Sequence, residues 1–191
     1  MGGIGHSVHD REVDMIAIQT ERVSRCWDEI DALAKLHWSG TQSYRRHEPY
    51  NPDTQRYVIN NNNGFFHLIT ARDDGKLIGY FGVYITPSMH SQLLTAVEDT
   101  FFIHPGYRQG RLALRILRFV EHYLAELGVR EILFSCEIDN TSGIQGLLKL
   151  LDYEPVIMQY RKRLPQSGTD SAAAPATTGG DHVRSLSSSC S

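Results

Sequence analysis

The segment 98–113, EDTFFIHPGYRQGRLA, carries the residue types of an anion-binding site. Its apolar first half is typical of a buried strand, and the run after the Pro-Gly pair opens a helix-forming stretch. The first N–H groups of a helix have no intrahelical partners and lie at the positive end of its dipole. Gly110 would let a phosphate approach the backbone, and Arg108 and Arg111 stand at the same turn. The segment therefore predicts a cradle for a pyrophosphate.

Two adjacent carboxylates in this segment could move a proton. Glu98 and Asp99 stand near the middle of the predicted strand. Strict alternation along a strand predicts that Glu98 shares a face with Phe102. Asp99 is then expected on the other face, with Phe101 and Ile103. The sequence does not say which face meets a substrate, and either carboxylate could instead pair with a basic side chain.

The elements that hold these residues follow from periodicity and turn signals. Apolar residues recur at helical spacing behind the glycine turn, and Gly128 ends that helix. A hairpin followed by a strand–helix–strand crossover predicts a mixed sheet in an α/β fold. We predict strands over 15–20, 64–71, 76–86, 91–103, 130–137 and 156–164, and helices over 21–38, 52–60, 110–127 and 141–151.

Length and composition favour one compact domain with flexible ends. The chain has 191 residues, a net charge of −3 and three cysteines without close pairing. These properties argue against a disulfide framework and a nucleic-acid ligand. No His/Cys/Asp set with ligand spacing indicates a metal site, and no apolar run approaches the ~20 residues of a membrane span. We expect a soluble, cytoplasmic protein. The domain is predicted over 13–164, between a flexible N-terminus at 1–12 and a disordered Ser/Ala/Thr/Gly-rich tail at 165–191.

The run from Arg108 to Ala113 resembles the acetyl-CoA motif of the GNAT N-acetyltransferases, Q/R-x-x-G-x-G/A. Arg108 fits the first position and Ala113 the last, whereas Arg111 occupies the fourth position and the glycine stands one residue earlier. A similar variant is known from phage-encoded proteins of this type, which suggests a phage origin and a host cytoplasm. The resemblance implies a GNAT-like fold, with a mixed sheet of six to seven strands flanked by about four helices.

The resemblance also implies where acetyl-CoA would bind as co-substrate. In the family, the pantetheine lies between two parallel strands that splay apart, which here would be 100–103 and 132–136. Phe102 and Ile103 would line the acetyl end through their main chain, although both also suit plain core packing. The implied cofactor-binding residues are Phe102, Ile103, Arg108, Gln109, Gly110, Arg111, Leu112, Ala113 and Asn140.

For catalysis, the resemblance implies direct attack on the thioester by a primary amine of a small molecule or a protein. The amine must lose a proton, and Glu98 is the predicted base. Many members use a tyrosine of the last helix as the acid, but Leu147 and Leu148 occupy the matching positions here. Tyr153, just beyond that helix, is a candidate for the acid, but it also suits core packing, and another group or water could protonate the thiolate instead.

The sequence leaves alternatives open for the identity of the acceptor and for whether the protein is an active enzyme. An aromatic and basic cluster suits an acidic or nucleotide-like acceptor, or is a mobile surface loop. The altered motif also fits a weak or inactive GNAT-like binding or structural protein, and a third reading is an enzyme that modifies nucleic acid. Family members often dimerise, so a homodimer is expected from the resemblance alone. The cluster consists of His37, Trp38, Tyr44, Arg45, Arg46, His47 and Tyr50.

Overall fold

The structure, a computed structural model, describes residues 16–41, 48–136 and 143–164. The chain forms two units, one ending at Tyr153 and the other beginning at Glu154. The predicted flexible ends, 1–12 and 165–191, lie outside the described residues and remain predictions. None of the helices in the described part of the chain has the length and apolar character of a membrane span.

A mixed sheet forms the centre of the first unit, as the sequence predicts. The strands lie side by side in the order in which they occur along the chain. Neighbouring strands from β1 to β4 pair antiparallel, and β4 and β5 pair in parallel. The sheet has five strands within the described residues, fewer than the predicted six to seven. The strands are β1 (Ala17–Glu21), β2 (Phe66–Asp73), β3 (Lys76–Pro87), β4 (Leu94–Ile103) and β5 (Glu131–Leu133).

Four α-helices are found where the sequence predicts helices, with boundaries shifted by a few residues. They are α1 (Val23–Thr41), α2 (Thr54–Asn62), α3 (Leu112–Glu126) and α4 (Ile144–Leu150). Asp53 starts α2 because its side chain accepts a hydrogen bond from the Arg56 N–H. The apolar stripe of α3 is buried at Leu112, Ile116, Val120 and Leu124.

The two faces of the sheet carry separate hydrophobic clusters. On one face, α3 packs with Phe81, Val83 and Ala96. On the other face, α1 packs with Tyr80 and Phe102. Burying a side chain of this size stabilises the fold by roughly 1.5–3 kcal/mol, so these clusters hold β4 between two packed layers.

A β-bulge interrupts the pairing of β3 with β4. Gly82 pairs with Thr100 and Val83 pairs with Glu98, so Asp99 is the extra residue. Paired residues share a face, and Val83 belongs to the cluster under α3. Glu98 therefore lies on the α3 face, whereas Phe102 belongs to the cluster under α1. The predicted sharing of a face by Glu98 and Phe102 is wrong, because the bulge shifts the alternation by one residue.

The last predicted strands are shorter than expected or missing. The strand predicted over 130–137 is confined to Glu131–Leu133. The strand predicted over 156–164 is wrong, since residues 154–164 have no regular secondary structure. Val156 is 62% exposed and Tyr160 is 91% exposed. A strand is stabilised by a pairing partner and by burial of one face, and side chains this exposed obtain no such burial.

Candidate active site

A tight turn joins β4 to α3. A 3-10 turn over Pro105–Tyr107 follows the strand, and the His104 ring nitrogen Nδ1 accepts a hydrogen bond from the Gly106 N–H at 3.2 Å. Gly110 then adopts a positive φ of +87°. An L side chain rarely adopts this conformation, so glycine is the residue that permits the turn.

The N-terminus of α3 is open to a ligand. Nothing lies within 4 Å of the position that a Cβ atom would take on Gly110. Arg111 occupies the N-cap position and makes no side-chain hydrogen bond to the first turn. The first N–H groups of α3, including those of Leu112 and Ala113, have no acceptor within the helix. An exposed turn with free donors and room above a glycine fits a pyrophosphate.

Arg108 ties this turn back to the end of β4. Its Nε donates to the Ile103 carbonyl at 2.9 Å, and its guanidinium lies 5.1 Å from the centre of the Phe102 ring. Its backbone N–H donates to the Pro105 carbonyl at 3.3 Å. The backbone N–H of Arg108 is thus already used within the turn, and the side chain fixes the position of the turn relative to the strand.

β4 and β5 part after a short stretch of pairing. Residues 95–97 of β4 pair with β5 in parallel. Beyond this point, residues 98–103 have no strand partner on the β5 side among the described residues. The edge of β4 therefore presents backbone groups that an extended ligand could pair with, as an added strand does. This opening leads directly to the turn before α3.

Glu98 lies at the point where the two strands part. Its carboxylate accepts a hydrogen bond from the Ser135 N–H at 3.4 Å. Burial raises the pKa of Glu98 to about 7, the Ser135 N–H opposes this rise, and the charge of Asp99 adds to it. Burial and the Glu98 charge also raise the pKa of Cys136. A carboxyl group with a pKa near 7 can exchange a proton at neutral pH.

A cavity of about 500 Å³ opens on the α1 face of β4. It lies between α1, residues 48–53, α2 and strands β2 to β4. Asp99 and Thr100 form the part of its wall that β4 contributes. The Tyr57 hydroxyl donates to Asp99 Oδ2 at 3.0 Å. Burial and the Asp99 charge raise the pKa of Tyr57, so this hydroxyl stays protonated and remains a donor.

His37 of α1 lines the inner part of the cavity. Its Nδ1 lies 3.2 Å from the Tyr80 hydroxyl and 3.4 Å from the Thr100 hydroxyl. Its ring stacks on Phe102 at 4.7 Å between centroids. Burial lowers the pKa of His37 to about 4, and the charge of Arg108 adds to this. The imidazole is therefore neutral at pH 7.

The remaining predicted site residues are distributed as follows. Phe102, Ile103 and Leu112 are buried. Gln109, like Gly110 and Arg111, lies on the exposed turn, and Ala113 is half-buried. Asn140 lies outside the described residues, as do Tyr44, Arg45, Arg46 and His47 of the acceptor cluster.

Tyr153 lies beside α3 and forms a hydrogen bond with Glu121 through its side chain. Burial raises the pKa of Tyr153, and the charge of Glu121 and this hydrogen bond raise it further. The hydroxyl therefore stays protonated at neutral pH and is engaged by a carboxylate of α3.

Sequence reasoning missed most of the cavity. It selected His37, Trp38 and Tyr50 but not Tyr57, Tyr80 or Tyr84. The available signal was alternation: Tyr80 and Tyr84 stand at even positions of a strand whose odd positions are apolar or glycine. The sequence alone did not indicate that this face was only partly covered by a helix.

Comparison with known proteins connects these features to a family. The family model described as "Acetyltransferase (GNAT) family" matches residues 30–150. No curated protein matches the chain in sequence. Solved structures do match, at low sequence identity, so this likeness concerns the fold.

An aminoglycoside acetyltransferase from an uncultured soil metagenomic sample, in complex with sisomicin, has a TM-score of 0.67 and 11% identity over 80% of this chain and 99% of that chain. A ribosomal-protein-alanine N-acetyltransferase from Brucella melitensis biovar Abortus 2308 has a TM-score of 0.62 and 15% identity over 78% and 99% of the two chains. The aminoglycoside N-acetyltransferase AAC(6')-Iy in complex with CoA has a TM-score of 0.58 and 18% identity over 78% and 100%. CoA in such a structure is consistent with acetyl-CoA as co-substrate.

Proposed function

Since this chain belongs to the GNAT acetyltransferase family and is thus an N-acetyltransferase, we propose that it transfers the acetyl group of acetyl-CoA directly to a primary amine of a small molecule or a protein. Acetyl-CoA supplies an activated thioester. The amine nitrogen forms a bond to the acetyl carbon, the carbon–sulfur bond breaks, and the thiolate takes up a proton. The amide product and CoA then leave.

One observation carries the proposal: β4 continues beyond its pairing with β5 and ends at the open N-terminus of α3. The unpaired edge over residues 98–103 can receive the amide groups of a pantetheine arm. The turn that follows can receive the pyrophosphate at the other end of that arm. A single strand thus aligns the pantetheine arm and the pyrophosphate of an elongated thioester.

At the turn, each residue has a separate role in this proposal. Gly110 leaves space for a phosphate, and the N–H groups of Leu112 and Ala113 donate to it. Arg108 positions the turn through the Ile103 carbonyl. The positive charges of Arg108 and Arg111 add to the helix dipole. Phe102 and Ile103 contribute their main chain to the acetyl end.

We assign the proton transfer from the amine to Glu98. The carboxylate lies where the β4–β5 opening begins, and its neighbour Asp99 lines the cavity on the opposite face. An amine that enters through the cavity would meet the thioester on β4, and its proton would pass to Glu98 directly or through water. The pKa of about 7 suits a base at neutral pH, because half of the carboxyl groups are ionised there.

Tyr153 remains a prediction as the acid that protonates the thiolate. Its hydroxyl would first have to leave its hydrogen bond with Glu121. Water that reaches the opening could supply the proton instead.

The first experiment is calorimetric titration with acetyl-CoA, using two matched variants. Gly110→Ala and Gly128→Ala both place a methyl group at a positive φ, +87° and +82°, at opposite ends of α3. Each should lower the free energy of unfolding by about 1–2 kcal/mol. Gly110→Ala alone should weaken acetyl-CoA binding about tenfold or more, because its methyl group occupies the phosphate space.

Equal acetyl-CoA affinity in both variants would contradict the cradle at Gly110. Release of CoA thiol in the presence of amines then tests the transfer step. Tight acetyl-CoA binding with no thiol release from any amine would overturn the proposed transferase activity and leave a binding protein.

A further inference from the structure

Aromatic rings form a continuous wall in the cavity on the α1 face of β4. Trp27 and Tyr57 lie 5.8 Å apart between ring centres, Tyr57 and Phe66 5.1 Å, and Phe66 and Tyr84 5.0 Å. These contacts link α1, α2, β2 and β3. A wall of packed rings is rigid and apolar, so it favours a flat or apolar ligand over a heavily hydroxylated one.

A second pair of rings, Trp38 and Tyr50, also lines the cavity. Trp38 and Tyr50 lie 6.1 Å apart, edge to face. The Tyr50 hydroxyl donates to Asp31 at 3.0 Å, and the Trp38 Nε1 donates to the Glu48 carbonyl at 3.1 Å. These hydrogen bonds hold both rings in place. They also use polar atoms that a hydroxylated ligand would need.

Negative charge predominates on the described lining of the cavity. Asp99, Glu48 and Asp53 contribute carboxylates, and the one arginine among the lining residues, Arg56, lies 3.3 Å from Asp53. Asp99 is the carboxylate on β4, next to the proposed base. His37 is neutral at pH 7, and Arg108, whose positive charge acts on His37, is not among the lining residues. The part of the cavity nearest β4 therefore favours a cation.

We infer that the acceptor is a small monocationic amine with an aromatic or otherwise apolar body, whose ammonium group lies at Asp99 while its body lies between the rings. The cavity volume of about 500 Å³ falls within the range of small-molecule sites. Rings such as Tyr57 and Trp27 can also attract a cation through their faces. The inference rests on the proposed function, because it concerns the acceptor of that transfer.

The same features disfavour two other kinds of acceptor. A polycationic amino sugar carries many hydroxyl groups that need polar partners, and the ring wall of Trp27, Tyr57, Phe66 and Tyr84 offers few. An amine that also carries an acidic group, either a carboxylate or a phosphate, would have that group repelled by Asp99. The predicted acidic or nucleotide-like acceptor belongs to this second kind.

The two tryptophans of the chain, Trp27 and Trp38, both line the cavity and therefore report on ligand binding without catalysis. We would titrate the full chain with 2-phenylethylamine and follow tryptophan fluorescence. Three comparison ligands separate the contributions: 2-phenylethanol lacks the charge, L-phenylalanine adds a carboxylate, and neamine is a polycationic sugar. We expect 2-phenylethylamine to bind at least about tenfold more tightly than each of them.

Asp99→Asn tests the ammonium position. It should remove the preference for 2-phenylethylamine over 2-phenylethanol, a loss of about tenfold or more. Asp74→Asn changes the charge equally on an exposed turn between β2 and β3 and should retain the preference. Retention of the preference in Asp99→Asn would overturn the placement of the ammonium group at this residue.

The outcomes distinguish this inference from the proposed function. Binding of 2-phenylethylamine that depends on Asp99, with no CoA thiol release from any amine, would support the placement of an apolar monocation in the cavity and contradict the transferase proposal. Thiol release with neamine or L-phenylalanine in preference to 2-phenylethylamine would support the transferase and overturn the inference. Absence of both fluorescence change and thiol release with 2-phenylethylamine would also overturn the inference.

Discussion

On the α3 side of β4, the site consists of main-chain groups at an opened strand edge and at a turn. On the α1 side, it consists of side chains from two helices, three strands and residues 48–53. The turn of the first region depends on local geometry within 98–113, and its strand edge is exposed where pairing with β5 ends. The second depends on distant segments coming together. The comparison indicates that the turn of the proposed cofactor site is encoded by a short motif, whereas the proposed acceptor site is encoded by the packing of distant parts of the domain.

Glu98 lies where the two regions meet, so its substitution should produce the largest effect on turnover. Glu98→Gln removes the proposed base and should lower kcat by about 100-fold to 10,000-fold. Affinity for acetyl-CoA and for the acceptor should change little. Steady-state thiol release together with calorimetry measures both quantities. Glu131→Gln, at an exposed position of β5, is the matched control.

The pH dependence of the rate tests the role of Glu98 as the base. A base must be deprotonated to act, so the wild-type rate should rise as the pH increases through about 7 and then level off. Glu98→Gln should lose that rise. An unchanged profile in the variant would assign the base to another group.

An ion pair away from both regions tests whether the fold can be weakened without changing either site. Arg72 contacts Glu21 at 2.7 Å and Glu29 at 2.8 Å. The Glu21 side chain is 16% exposed and that of Glu29 is 46% exposed. Glu21→Gln should lower the free energy of unfolding by about 2 kcal/mol, and Glu29→Gln by about 0.5 kcal/mol because solvent screens that pair. Thermal unfolding measures both losses.

The ion pair should also make stability depend on pH. Burial would raise the pKa of Glu21, but hydrogen bonds from Arg72, Thr70 and Gln19 outweigh it and hold the pKa at about 2. The stabilisation is complete above the ordinary pKa of a glutamate and is lost as the pH falls towards 2. In Glu21→Gln, the free energy of unfolding should depend less on pH in this acidic range. A loss of acetyl-CoA or amine affinity at neutral pH would show that the fold and the two site regions are not separable.

Tyr57→Phe should give the smallest effect and should act on the acceptor region alone. It removes one hydrogen bond to Asp99 and keeps the aromatic wall. We expect the acceptor KM to change about threefold to tenfold, with acetyl-CoA affinity unchanged. Tyr123→Phe, which removes the hydroxyl that contacts His67, is the control outside the cavity. A changed acetyl-CoA affinity in Tyr57→Phe would mean that the two regions are coupled.

The parts of the molecule that sequence could predict are those with local causes. The turn before α3 follows from Gly110, and α3 itself follows from its apolar stripe and from Gly128. The order of helices and strands through β5 followed from periodicity. These signals arise within a few residues of the structure that they specify, so no long-range contact has to be known.

The parts that sequence did not predict depend on pairing between distant segments. The alternation in 156–164 resembles that of a strand, yet alternation alone supplies no pairing partner. The bulge at Asp99 arises from the register of two strands, which neither strand encodes by itself. The wall of the cavity needs Trp27 from α1, Tyr57 from α2 and Tyr84 from β3 to meet. No spacing in the chain connects these three residues.

The bulge at Asp99 also has an evolutionary consequence. Thr100 and the residues after it pair with β3 on the faces that they would occupy in a ladder without Asp99. One added codon is thus sufficient to introduce a carboxylate into the cavity wall, and the loss of that codon would remove it while the rest of the strand keeps its orientation. In the proposed acceptor site, selectivity can therefore change through a single-residue insertion or deletion, as well as through substitution.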